Sequence, residues 1–164
     1  RSYMLSRYRG IGNENEVYAR LQQVPVEFIN MMRKIFGDKI TDNYADLLNT
    51  YVELIDEFIT AQIKGDPEEL SQVTQRLYEN VEAQAEFLAS INPYWDVNEW
   101  RNRLFNNLRS TIRESTTFLT GDYARNTDIF STLLSQAEST GNYIARGLFD
   151  YLTSEDQAPA VSTI

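Results

Sequence analysis

The 164-residue chain contains neither cysteine nor histidine. Without cysteine there is no disulfide, no thiolate nucleophile and no Zn–Cys site. Without histidine, a Ser-His-Asp triad, a histidine-held zinc or haem, and the Glu-x-x-His pairs of ferritin-like di-iron bundles all fall away. Seven glycines and four prolines are too few for a collagen-like or low-complexity chain. Gly10 and Gly12 are also too sparse, and wrongly set, for a phosphate-binding loop. Positive charge is in deficit: 15 Lys and Arg face 24 Asp and Glu, for a formal net charge of −9. No basic run offers a local phosphate-binding surface, which argues against nucleic acid as a partner. No apolar run approaches the roughly 18 residues of a membrane span. The chain opens on Arg1 rather than Met, as expected of a trimmed chain or of one that has shed a signal peptide. A cytoplasmic location is the expectation and an exported one the alternative.

What the chain does have is apolar residues recurring at three and four along most of its length, with no sustained strand-type alternation. The expected fold is therefore all-α, an antiparallel up-and-down bundle of four to five long helices. The spacing predicts them near 14–36, 42–64, 67–91, 97–119 and 122–152, with a short N-terminal helix remnant in "RSYMLSRYRG". One domain over 1–152 and a flexible tail over 153–164 complete the reading. Asn13 with Glu16, Asp66 before Pro67, and Asp96 with Glu99 have the spacing of helix caps. Thr41 or Asp42 is expected to open the second long helix, and Pro25 to kink the first.

Two features carry chemistry. The stretch "NPYWDVNEW", residues 92–100, crowds Tyr94, Trp95 and Trp100 around a helix stop and a helix start. These rings either line a ligand pocket or seal a corner between helices. Clustered carboxylates, Glu53, Asp56 and Glu57, then Glu79, Glu82 and Glu86, either hold a hard divalent cation through oxygen or form a solvated acidic face.

"RLYENVEAQAEFLASINPYW" resembles a segment of small bacterial helical proteins of uncharacterised function, which carry N-A-D-E-I-A-x-F-L-S-x-x-N-P-x-W and are sometimes labelled acetylglutamate kinase. The resemblance extends to "IFGDKITDNYADLL", to the Arg113-Glu114 region, to "LTGDYARNTDIF" and to "IARGL", and so covers about residues 13 to 152. The kinase label fits nothing in these residues, since an amino-acid kinase needs a larger α/β fold with phosphate-binding glycines. By the resemblance, relatives carry a histidine where Tyr51 stands in "LLNTYVELI" and another where Asn107 stands in "RLFNNLRST", with an acid at the position of Glu27. Helical phase aims Tyr51, Asn107 and Glu27 inward. The expectation is a polar cluster of Glu27, Asn30, Tyr51 and Asn107 at mid-bundle, the remnant of a ligand or metal site. The alternative is that these positions hold ordinary hydrogen-bonded core polar residues.

The expected function is a non-enzymatic binding or interaction module for a protein or small-molecule partner, without a cofactor, as a monomer or homodimer. Two alternatives stand beside it: an oxygen-ligand metal protein using Glu27, Glu53, Glu82 or Glu114, and an exported structural module.

Overall fold

The computed structural model describes residues 1–154, the side chain of Val24 excepted. Among them are six α-helices and no strand: α1 Ser2–Arg9, α2 Glu14–Phe36, α3 Asp38–Lys64, α4 Pro67–Ile91, α5 Val97–Thr120 and α6 Tyr123–Thr153. The fold is all-α, as the periodicity predicts. Four polar side chains set where helices begin by accepting from otherwise unpaired backbone amides. Asn13 accepts from the Glu16 amide, Asp96 from Glu99 at 2.9 Å, and Asp122 from Arg125 at 3.1 Å. Asp66 accepts from both Glu68 and Glu69 at 3.0 Å.

α3 departs from the sequence reading. Its whole link to α2 is Gly37, whose φ of 79° lies in the left-handed region that favours glycine. One residue turns the chain, so the helix starts at Asp38 rather than near residue 42. Thr41 is not its cap but an interior residue, donating its hydroxyl to the Gly37 carbonyl at 2.7 Å. α2 carries Pro25 in its interior and continues to Phe36. α6 runs through Thr153, where the Ser154 amide closes on the Asp150 carbonyl, so Thr153, expected in the tail, is helical. The rest of that tail lies outside the described residues.

Consecutive helices from α2 onward pack on one another, and α1 lies against α2, α3 and α5. The buried side chains fall into two clusters. One holds Tyr3, Met4, Leu54, Ile55, Phe58, Ile59, Val73, Leu77, Val81, Leu108 and Phe118. The other holds Ile29, Met32, Tyr44, Ala85, Leu88, Trp95, Trp100 and Leu148. Each fully buried Leu or Ile contributes about 1.5–3 kcal/mol through removal from water. Between the clusters α3 and α4 share a buried polar chain. The Tyr44 hydroxyl donates to Gln84 Oε1 at 3.4 Å, Gln84 Nε2 to Asn80 Oδ1 at 2.7 Å, and Asn80 Nδ2 to the Leu47 carbonyl at 3.1 Å. A one-turn slip of α4 along α3 would leave these groups buried and unpaired, so the chain fixes their register.

α1 is not an appendage. Besides Tyr3 and Met4 in the core, Arg7 pairs with Asp56 and donates to Thr60 Oγ1 at 2.7 Å. Arg9 donates to the Phe118 carbonyl at 2.7 Å, and Tyr8 shares a 2.7 Å hydrogen bond with Ser115.

Candidate functional site

α1 closes one end of a cavity of about 140 Å3 between α2, α3 and α5. Met4, Leu21, Val52 and Ile55 give it apolar walls, while Arg1, Tyr51, Thr111 and Glu114 place polar groups around it. Glu114 is 3% exposed. Its Oε1 accepts from Arg1 Nη1 at 3.0 Å, which supplies the counter-charge a buried carboxylate requires. The Arg1 side chain remains 36% exposed, and its guanidinium lies over the Phe118 and Phe130 rings, at 5.4 and 4.4 Å from their centroids. Tyr51 is half-buried. Burial pushes its phenol up to about 12, against the opposing effect of the neighbouring Thr111 side chain. At neutral pH the site therefore offers a phenol O–H, a threonine hydroxyl and a charged pair over an apolar floor.

The structure brings together two of the sequence candidates, Tyr51 and Glu114, and separates the rest. Glu27 and Asn30 are exposed on α2, so the four-residue cluster expected at mid-bundle does not form. At 100° per residue, Glu27 lies about 100° from Phe28 on the side away from buried Ile29 and Met32, and Asn30 falls on the far side of the helix. Asn107 is half-buried on α5, one turn before Thr111, and does not line the cavity. The polar chain at mid-bundle consists instead of Tyr44, Gln84 and Asn80. Gln84 stands three residues from Val81 and seven from Leu77, both buried, so its inward phase was present in the sequence. Thr111 lay on the inner face that the spacing marks. Arg1, Tyr3 and Met4 were missed because α1 was read as a remnant; the Tyr3–Arg7 spacing of four, which places both over Asp56, was the available signal.

The carboxylate clusters resolve into ion pairs. Glu82 and Glu86 share Arg101, Glu57 meets Arg76, and Asp56 meets Arg7. The Arg101 guanidinium holds the Glu82 carboxyl below its ordinary range. Glu53 is exposed on α3. Among the described residues no three acidic groups converge as a cation would require. Glu27, Glu53, Glu82 and Glu114 therefore do not form a shared oxygen-ligand set.

The aromatic corner is a docking seam. Trp95 and Trp100 are 4% and 1% exposed, and meet edge to face at 5.4 Å. Tyr143 of α6 packs edge-on against Trp100 at 5.2 Å, and its hydroxyl accepts from the Asp96 amide at 2.7 Å. Asn92, fully buried, donates to the Gly147 carbonyl at 3.0 Å and accepts from the Tyr94 amide. Gly147 is required there, since a Cβ would stand 2.0 Å from Trp95 Nε1. Tyr94 alone of the three faces solvent, at 45% exposure.

A broader groove of about 360 Å3 runs along α5 and α6. Polar residue types line it, presenting largely their aliphatic stems, and Arg103 is committed to Glu99, to Ser139 and to the Tyr143 ring. This groove and a neighbouring one lined by Arg103, Glu138 and Arg146 are open surface features, whereas the Tyr51–Glu114 cavity is more enclosed and has a buried carboxylate on its wall, which makes it the candidate.

Fold and site together define an all-α protein with a small, part-polar cavity between helices. Comparison of the chain with protein-family models, with curated proteins and with solved structures finds no match in any of the three.

Proposed function

We propose that the chain is a non-enzymatic binding module, an antiparallel up-and-down bundle whose cavity at Tyr51, Thr111 and Glu114 takes a compact organic cation. The observation that carries this reading is the pairing of a buried carboxylate with a partly exposed arginine. Glu114 has its charge satisfied by a side chain that can swing into water, so an incoming ammonium or guanidinium could take Arg1's place at little electrostatic cost. The walls of Met4, Leu21, Val52 and Ile55 suit a short alkyl body. A volume of about 140 Å3 corresponds to four or five water molecules at about 30 Å3 each, which limits the ligand to a few heavy atoms. The polar groups around the cavity, Arg1, Tyr51, Thr111 and Glu114, form a set suited to holding a cation, which supports binding as the reading. The single-residue link at Gly37 and the short links after Gly65, Ile91 and Gly121 favour the antiparallel course of the helices.

The test is calorimetric titration with short alkylammonium and alkylguanidinium ions, alongside the melting temperature of the protein. Binding that requires a cationic head, and that disappears in Glu114→Gln while the helical content stays unchanged, supports the reading. Absence of binding, or equal binding to Glu114→Gln, overturns it.

A further inference from the structure

The geometry points to α6 as the seam of a homodimer, in which two copies of the chain lay this helix antiparallel across a two-fold axis near Asn142. α6 is 31 residues long, and by close backbone contact it packs mainly on α5. Besides the face turned to α5, it carries a second stripe: Leu134, Glu138, Gly141, Ala145, Phe149 and Leu152, spaced by threes and fours. That spacing keeps the residues on one line along a helix. Leu134, Phe149 and Leu152 on this line are 56%, 66% and 60% exposed. Over 18 residues at about 1.5 Å each the stripe extends roughly 27 Å, enough for a helix pair.

Charge identifies the occupant. Glu138 and Arg146 are exposed, and neither has an ion-pair partner among the described residues. They stand four residues before and four after Asn142, Glu138 on the stripe and Arg146 on its flank, about 100° round the helix, and both border one groove. An antiparallel copy centred on Asn142 sets each Glu138 opposite the other copy's Arg146, twice over, because a two-fold interface repeats every contact. The same alignment brings Leu134 alongside the other copy's Phe149, and puts Gly141 and Ala145 where the two backbones approach. The helix also escapes the acidity of the rest of the chain. It holds Arg125 and Arg146 against Asp128, Glu138 and Asp150, a formal −1 where the whole chain carries −9. A basic partner has little to recognise on this face, whereas a second copy finds both signs at matching positions.

The experiment is sedimentation velocity on the full chain over a wide range of concentration, with circular dichroism to show that each variant keeps its helices. The expected result is a reversible dimer. Glu138→Arg alone and Arg146→Glu alone should each raise the dissociation constant by about tenfold or more. The double reversal Glu138→Arg/Arg146→Glu should restore most of the affinity, which no purely structural effect of the single changes would do. Leu134→Glu should leave a folded monomer. A monomer at every concentration overturns the proposal, as does a dimer indifferent to Leu134→Glu or unrescued by the double reversal. If the chain is monomeric but dimerises once cut after Ser154, the residues beyond it are the occupant of the stripe and the proposal also fails.

Discussion

Glu114 and Arg1 form an ion pair whose two halves are unequally wet, and that inequality should appear in mutant stabilities. Arg1→Ala leaves a buried carboxylate without its guanidinium partner. We expect a loss of about 2 kcal/mol, below the roughly 3–5 kcal/mol of fully buried pairs because Arg1 is partly in water. Glu114→Gln removes the buried charge and frees Arg1 to solvent, so it should cost less; denaturant unfolding of both variants checks the order. The tyrosines provide a second residue-scale outcome. Tyr8 and Tyr51 are each pushed up by burial from 10.0 to about 12. A phenol that holds its proton more tightly when folded contributes stability that is fully present below about pH 10 and lost as pH rises through about 12. The unfolding midpoint should therefore hold steady up to about pH 10 and fall beyond it, and Tyr51→Phe should make that fall shallower. At this scale the sequence was legible where a residue acts on its near neighbours. Asn13, Asp66 and Asp96 cap as their spacing indicates, because an N-cap bonds amides two or three residues on. Glu27 was legible but misread: its spacing of three and four from Val24 and Met31 suggests the inner face, while its phase relative to Ile29 and Met32 puts it on the outer one.

Among the elements, α6 shows how much one missing side chain decides. Gly147 lets the helix come down on Trp95, and Gly147→Ala should cost about 1–3 kcal/mol through overpacking, with loss of the near-ultraviolet dichroism of the buried tryptophans. Gly141, on the same helix, has nothing within 4 Å of where a Cβ would go. Gly141→Ala should therefore stabilise dilute protein by roughly 0.5–1 kcal/mol, from helix propensity alone. Thermal unfolding of the pair gives opposite signs for the same substitution. The long helices could be read from the sequence because each carries its stripe and its stop signals within itself. The start of α3 and the role of α1 could not. A one-residue turn at Gly37 leaves no loop composition to notice, and eight residues are too short to show a period against which Tyr3 and Met4 would stand out as core.

For the whole molecule, support is unevenly shared. α3 and α5 each pack against four helices and α4 lies along both of them, whereas the N-terminal half of α6 depends chiefly on α5, through buried Asn126 and its hydrogen bonds to Thr117 Oγ1 and the Glu114 carbonyl at 2.8 and 3.3 Å. Amide hydrogen exchange should be fastest, among helix interiors, between Ala124 and Thr140, and slowest in α3 and α4. The division of the core has an optical consequence. Both tryptophans belong to the cluster of Trp95, Trp100 and Leu148, while the opposite cluster is lit only by tyrosines such as Tyr3, Tyr51 and Tyr78. Indole emission therefore watches one end of the protein, whereas tyrosine absorbance reports on both, through Tyr3, Tyr8, Tyr18, Tyr51 and Tyr78 at the far end and Tyr44 and Tyr143 beside the indoles, so the two melting curves part company only if the halves let go separately.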